Sequence, residues 1–296
     1  MKAMSLFSVC TTQFAILFLT SLTAQSAELQ EQTLKSWQHY VSLTEARIES
    51  ELKNESKFLP TEFIPKKDAQ KCQKEVEKGD VCVRSLETRD GNGKNIDVPD
   101  GTISHWLGSV RLPNAKLSTL ITFVQSYDIH ERYFDDVEQS KLMDRNGDNF
   151  KFFYRLKQET TWATVHYNTM HEVNYQRHSS QQFSSASQTT RINELDKPGT
   201  DEEQEKPEGN DNGFMWRLNS YWRFQQDENG VVVTLESLTL SRDIPWYLSF
   251  VKPFVNKVSR GLLENTLLTL CNGYHAYVKQ ATQTVIDSGN VSPEAP

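Results

Sequence analysis

Two alternating runs, Phe214 to Phe224 and Val231 to Arg242, flank Asn229-Gly230 and lead into a long amphipathic segment. This pattern commits the chain to a hairpin that delivers a helix onto its own sheet. Asn-Gly is a favoured two-residue turn, and closing it there sets Glu228 opposite Val231, Phe224 opposite Leu235 and Arg223 opposite Glu236. Phe214, Trp216, Leu218, Ser220, Trp222 and Phe224 then share one face, and Met215, Arg217, Asn219, Tyr221 and Arg223 the other. The first set is expected inside. Arg223 and Glu236 are expected as a solvent-side ion pair contributing at most about 1 kcal/mol. If the polar face turns inward instead, Arg217, Asn219, Arg223 and Glu236 become headgroup-binding candidates.

A straight helix from Pro245 to Ala281 would measure about 55 Å. That exceeds the roughly 40 Å diameter of a compact ~200-residue domain. The helix is therefore predicted to break, with a short Trp246 to Val258 segment and a main helix capped at Ser259 and relaxed by Gly261. The main helix carries Leu262, Leu263, Thr266, Leu267, Leu270, Tyr274, Tyr277 and Val278 on one stripe.

Residues 1–27 read as an export signal: Lys2, an apolar run from Phe14 to Leu19, and a small-residue stretch ending at Ala27. The run is shorter than the ~20 residues of a transmembrane span, so the mature protein is expected outside the cytoplasm, periplasmic or extracellular, without a membrane span. In that compartment Cys72 and Cys82, which flank Gly79-Asp80, are expected to form a disulfide. Cys271 sits near the apolar stripe of the last helix and reads as a small buried hydrophobe. Closely spaced Cys/His pairs for zinc are missing, and neither a metal nor a cofactor is expected. The net charge of -7 and a pI near 5.6 argue against a nucleic-acid partner and against charge-driven binding to an anionic membrane.

Residues 28–100 form an extension. Leu34, Trp37, Val41, Ile48 and Leu52 recur at helical spacing, predicting a helix docked on the domain, with a partner-binding helix as the alternative. A charged, turn-rich stretch follows. The main domain, 101–281, opens with a strand from Thr102 to Leu112, a helix from Pro113 through Tyr127 and a short helix from Asp128 to Phe134. Six strands follow: Val137 to Asp144, Phe150 to Lys157, Thr161 to Arg177, Gln182 to Glu194, Phe214 to Gln225 and Val231 to Arg242. Asp144-Arg-Asn-Gly-Asp148 has the opening of a calcium loop but lacks its glycine and its final carboxylate, Arg155 standing in that place; a hairpin turn is predicted. The acidic insertion 196–212 reads as solvated and mobile, and 282–296 as a disordered tail.

The order strand, two small helices, six strands and a long C-terminal helix resembles the helix-grip fold of the START-like (SRPBCC) superfamily of lipid-transfer and polyketide cyclase/dehydrase-like proteins. The residues carrying the resemblance are Gly101 to Trp106, Leu120 to Tyr133, Trp216 to Phe224 and Leu240 to Pro245. It implies an α+β fold in which a curved antiparallel sheet of about seven strands wraps a long helix around a cavity.

From the residues themselves, seven long strands against one helix expose more apolar sheet than the helix can cover. Phe150, Phe152, Tyr154 and Leu156, then Ala163, Val165, Tyr167, His171, Val173 and Tyr175, then Trp216, Leu218, Trp222 and Leu235 alternate onto the wall. The expected ligand-binding residues are Phe152, Tyr154, Tyr167, His171, Trp216, Leu218, Trp222, Leu235 and Leu267, with no catalytic residue assigned. His166 falls on the strand face opposite His171. Trp246, Tyr247, Phe250 and Phe254 are candidates for a rim or a transient membrane contact. The function expected is binding or transport of a hydrophobic small molecule or lipid. A cyclase/dehydrase-like enzyme and a protein-interaction module with a filled core are the alternatives.

Overall fold

The computed structural model describes residues 27–159, 164–243 and 252–289. The export signal up to Ser26, together with Ala163, Trp246, Tyr247, Phe250 and the side chain of Phe254, lies outside the described residues. A short strand β1 (Ala27–Glu28) precedes helix α1 (Glu31–Leu52), a 3-10 turn (Pro60–Glu62), α2 (Lys66–Glu77) and β2 (Cys82–Ser85). Next come β3 (Gly101–Pro113), α3 (Leu117–Val124) and a 3-10 helix (Tyr127–Arg132). The remaining strands are β4 (Val137–Asn146), β5 (Asn149–Glu159), β6 (Thr164–Arg177), β7 (Gln182–Asp196), β8 (Gln204–Glu205), β9 (Asn210–Asp211), β10 (Arg217–Asp227) and β11 (Gly230–Arg242). Helix α4 (Lys252–Gly289) closes the chain.

The sheet runs β2-β3-β11-β10-β7-β6-β5-β4, with β8 added on β7, so it has nine strands where about seven are predicted. The two additions come from outside the predicted strand set. One, β2, is held to α2 by the Cys72–Cys82 disulfide. The other, β8, belongs to the acidic insertion.

Helix α4 lies on the inner face. It approaches β3 so closely that a Cβ on Gly108 would stand 2.5 Å from Leu267 Cδ1. Leu263, Leu267, Leu270 and Tyr274 supply its buried stripe. The predicted break is not there. Pro253 falls in the first turn, where its missing N–H forfeits no helix hydrogen bond, and a Cβ on Gly261 would meet nothing. One 38-residue rod results, about 57 Å long. It runs to Gly289, past the predicted end at Ala281.

The β10–β11 hairpin also turns one position earlier than predicted, which shifts the cross-strand pairing by two. Asp227 pairs with Gly230, which puts Glu228 and Asn229 in the turn, Arg223 opposite Thr234 and Phe224 opposite Val233. Gly230 follows the turn at φ +133, where a Cβ would collide with the Leu112 carbonyl at 2.2 Å. A shift of two keeps the side chains from Arg217 to Phe224 on their predicted faces.

Helix α1 docks on the outer face, as predicted, through Thr33, Trp37, Tyr40, Thr44, Ile48 and Glu51. The surface beneath it is the polar face of β10, and this overturns the expected solvent-side ion pair. Arg223 is 2 % exposed and Glu236 0 %. Arg223 donates to Glu51 at 2.7 Å and to the Phe58 carbonyl at 2.7 Å. Arg47 donates to Glu51 at 2.6 Å and to Glu236. His105 bonds Glu236 at 2.7 Å through Nε2 and Tyr40 at 2.9 Å through Nδ1. Burial pushes the Glu236 carboxyl up, but His105, Arg47 and Arg223 outweigh it and hold the group below the ordinary range.

The acidic insertion is largely exposed, as predicted, and several of its charges are matched by the sheet. Glu203 receives both guanidinium nitrogens of Arg155 at 2.7 Å, Lys206 donates to buried Glu194 at 2.6 Å, and β9 pairs with β1. The Asp144–Asp148 segment is a hairpin turn between β4 and β5, as predicted.

Removing one partner of a buried ion pair strands the other charge. Arg223→Met should lower the free energy of unfolding in urea by about 3–5 kcal/mol, with much of the loss recovered when Glu51→Leu is added. A loss under about 1 kcal/mol would show that the pair behaves as a surface bridge.

Candidate functional site

Because the strands pair in register, inner-face residues line up in rungs across the sheet. One rung reads Trp106, Ser237, Ser220, Ser187 across β3, β11, β10 and β7. The rung beside it reads Gly108, Leu235, Trp222, Ser185, and the one on its other side begins Ser104, Thr239, Leu218. Three small serines thus stand in line between larger neighbours. Trp106, Ser237, Ser220, Ser187, Trp222 and Leu218 are all half-buried although they sit on interior strands, where no sheet edge exposes them. Among the described residues, helix α4 makes its main contacts with β3, β2 and α3 rather than with the serine positions of β10 and β7. The result, among the described residues, is a trough on the inner face, floored by hydroxyls and flanked by indole and isobutyl groups. Among the described residues, the hydroxyls of Ser187, Ser220 and Ser237 have no hydrogen-bond partner.

Toward β5 the inner face is filled. Tyr127 stacks on Phe152 at 4.0 Å, and Phe152 stacks on His171 at 4.6 Å. His171 donates from Nε2 to Thr169 Oγ1 at 2.9 Å, whose own proton goes to the Tyr154 carbonyl. His130 donates from Nε2 to the Phe123 carbonyl at 3.1 Å and accepts the Tyr154 hydroxyl at Nδ1. Burial lowers His171 to about 3. It also lowers His130, to about 4, against the opposing pull of the Phe123 carbonyl. Both rings are neutral near pH 7. Each is held by fixed partners and acts as a polar wall.

The predicted site residues divide between three places. Phe152, Leu235 and Leu267 belong to the main inner cluster, with Tyr154 and Trp222 packed on it. Tyr167 and Leu218 join a second inner cluster with Leu156, Ile192 and Met215. Trp216 is a correction: it lies in the outer cluster with Trp37 and Leu240, its indole N–H donating to Asp211 at 3.1 Å. The strand begins at Arg217, so alternation does not extend back through Trp216, and Phe214 is 40 % exposed. His166 turns to the outer side and bonds Glu138 at 3.0 Å. Cys271 is half-buried, its thiol pushed up to about 11 by burial, a setting that disfavours the reactive thiolate.

The serine rung escaped the sequence reading. Its signal, Ser184-Ser-Ala-Ser187 inside a strand, is intelligible only once β7 is known to neighbour β10. Outside, a cavity of about 500 Å3 beside α1 is lined by Glu45, Lys151, Glu172, Asn174 and Tyr221 among others. Its polar groups largely satisfy one another: Lys151 pairs with Glu172 at 2.7 Å, Asn174 bonds Asn149 at 2.9 Å and Tyr221 bonds Glu45 at 2.8 Å.

No protein-family model matches the sequence, and no curated protein matches it. Solved structures do resemble the chain. The STAR-related lipid transfer protein of Xanthomonas axonopodis, as a fragment, is 12% identical with a TM-score of 0.44, over 65% of this chain and 98% of that one. Human STARD10 is 12% identical with a TM-score of 0.44, over 82% and 93%. The Zhui aromatase/cyclase of Streptomyces sp. R1128 is 8% identical with a TM-score of 0.42, over 60% and 96%. The fold is helix-grip, a curved antiparallel sheet against a C-terminal helix. That rests on the strand order, the two short helical elements after β3 and the seat of α4 on Gly108. At these identities the likeness says nothing of a ligand.

The buried histidines give a pH dependence of stability. Their folded values lie below the unfolded value of 6.5, so the unfolded chain binds more protons, and stability is complete above pH 6.5 and falls as pH drops toward 4. His171→Gln should flatten the slope of unfolding free energy between pH 6 and 5 by about 1.4 kcal/mol per pH unit. An unchanged slope would mean that His171 protonates freely in the folded state.

Proposed function

We propose that the chain binds a hydrophobic small molecule, of lipid class, in the inner trough, and that it does so outside the cytoplasm as a carrier rather than a catalyst. The observation that carries this reading is the serine rung. Small residues at Ser187, Ser220 and Ser237 remove volume from the middle of an otherwise aromatic inner face, while Trp106, Trp222 and Leu218 border it with apolar surface. Apolar walls with a few placed polar groups are the usual composition of small-molecule sites. Covering an apolar ligand there would gain about 25 cal/mol per Å2 removed from water. The lipid-transfer proteins among the similar structures agree with such a role without establishing it. Export is supported by the leader-like start of the sequence and by the Cys72–Cys82 disulfide, a bond that persists in oxidising compartments. No helix among the described residues is long and apolar enough to cross a membrane.

The test is to fill the trough. Ser220→Phe should abolish co-purification of an apolar species, read by native mass spectrometry and lipid extraction of protein taken from its host envelope, while circular dichroism stays native. Ala186→Phe, exposed on the outer face of the neighbouring strand and lining the outer cavity, should leave binding intact. The opposite pattern would move the site to the outer cavity. Protein that carries nothing and takes up no fluorescent hydrophobic probe would refute the reading.

A further inference from the structure

The charge of the trough limits what it accepts. Across β3, β11, β10, β7 and β6, the serine rung and its two neighbours carry Trp106, Ser237, Ser220, Ser187 and Val173; Gly108, Leu235, Trp222, Ser185 and Tyr175; and Ser104, Thr239, Leu218, Thr189 and His171. None of these positions holds a lysine, an arginine or a carboxylate, and His171 is buried and uncharged near pH 7. Among the described strand residues of the inner face, the arginines lie at its far rim, exposed, with Arg145 over the Phe150 ring and Arg177 over Phe183. At the lower end of the same face, the Tyr167 hydroxyl is buried with no hydrogen-bond partner. Burial raises its pKa well above the ordinary value, and the neighbouring negative charges of Glu194 and Asp211 raise it further. The trough therefore offers hydroxyl groups, which donate to and accept from neutral oxygen. Among the described residues, these three rungs offer no cation to a carboxylate or phosphate.

An anion entering such a space gives up its hydration without a counter-charge, the least favourable transfer in a protein interior. A neutral oxygen gives up one or two hydrogen bonds and regains them from serine. We propose, building on the trough as the ligand site, that it selects an electrically neutral, oxygen-bearing amphiphile, such as a long-chain alcohol or ester, over an anionic lipid of the same chain length. Ser220, at the centre of the rung, supplies the principal polar contact.

Displacement of the neutral probe N-phenyl-1-naphthylamine at pH 8 tests this with two competitors of equal chain length, 1-dodecanol and dodecanoate. Dodecanol should displace the probe at a concentration at least about tenfold lower than dodecanoate. Ser220→Ala should cut the advantage of dodecanol over dodecanoate about three- to tenfold, the worth of one hydrogen bond. Equal potency, or dodecanoate the stronger, would overturn the selectivity and leave the trough itself standing. Failure of dodecanol to displace a probe that Ser220→Phe excludes would overturn it too. If Ser220→Phe does not affect the probe and neither competitor acts, the trough is not the ligand site, and both readings fall together.

Discussion

A guanidinium cannot be taken out of water unless a carboxylate goes with it. Arg223 points outward from an interior strand and is almost fully buried, so the rest of the outer face is arranged to meet it. Glu51 must arrive from α1, the Phe58 carbonyl must arrive from the turn after it, and Arg47, Glu236 and His105 complete the set. A helix that docked one turn away would present Glu51 to solvent and leave Arg223 alone. The ionic network fixes the register of α1 on the sheet more tightly than apolar contact between Trp37, Ile48, Leu238 and Leu240 would, because apolar packing tolerates sliding and a paired charge does not.

With the outer face occupied in this way, the two faces of β10 divide their tasks. Asn219, Tyr221 and Arg223 hold the extension; Leu218, Ser220 and Trp222, interleaved with them, face the helix side. The inner face is in turn graded along its width. Helix α4 is seated at one side, where Gly108 lets Leu263 and Leu267 reach the β3 backbone. Stacked rings of Tyr127, Phe152 and His171 fill the side toward β5. The serines lie between these two packed regions, and their small volume is what keeps the middle open.

Much of this was legible in the sequence. Strand positions, the two short helices after β3, the face assignment along β10 and the disulfide all follow from alternation, turn residues and cysteine spacing, which are local signals. The errors arose where distant residues decide. The hairpin register is set by the need of Gly230 to pass the Leu112 carbonyl, on a strand more than a hundred positions earlier. The burial of Arg223 depends on Glu51, 172 positions away. The ion pairs of the acidic insertion, Arg155 with Glu203 and Lys206 with Glu194, are illegible for the same reason, since they meet only after β5 and β7 have folded. The helix was expected to break on the assumption that it must stay within the domain diameter, and a helix end that projects satisfies the chain equally well.

The histidines tie the packed side of the inner face to the open side. An imidazole buried against Phe152 and held by Thr169 has lost the water that would stabilise its charge, and no carboxylate faces it to replace that water; the same desolvation keeps His130 neutral beside Tyr154. Neutral rings let the aromatic stack continue up to the edge of the trough without placing a field across it. A charged His171 would lose hydration when an apolar guest covered it, and it would attract an anion strongly through a medium of low polarity. The desolvation that fills the packed side with aromatic rings is thus the same physical cause that leaves the open side without charge.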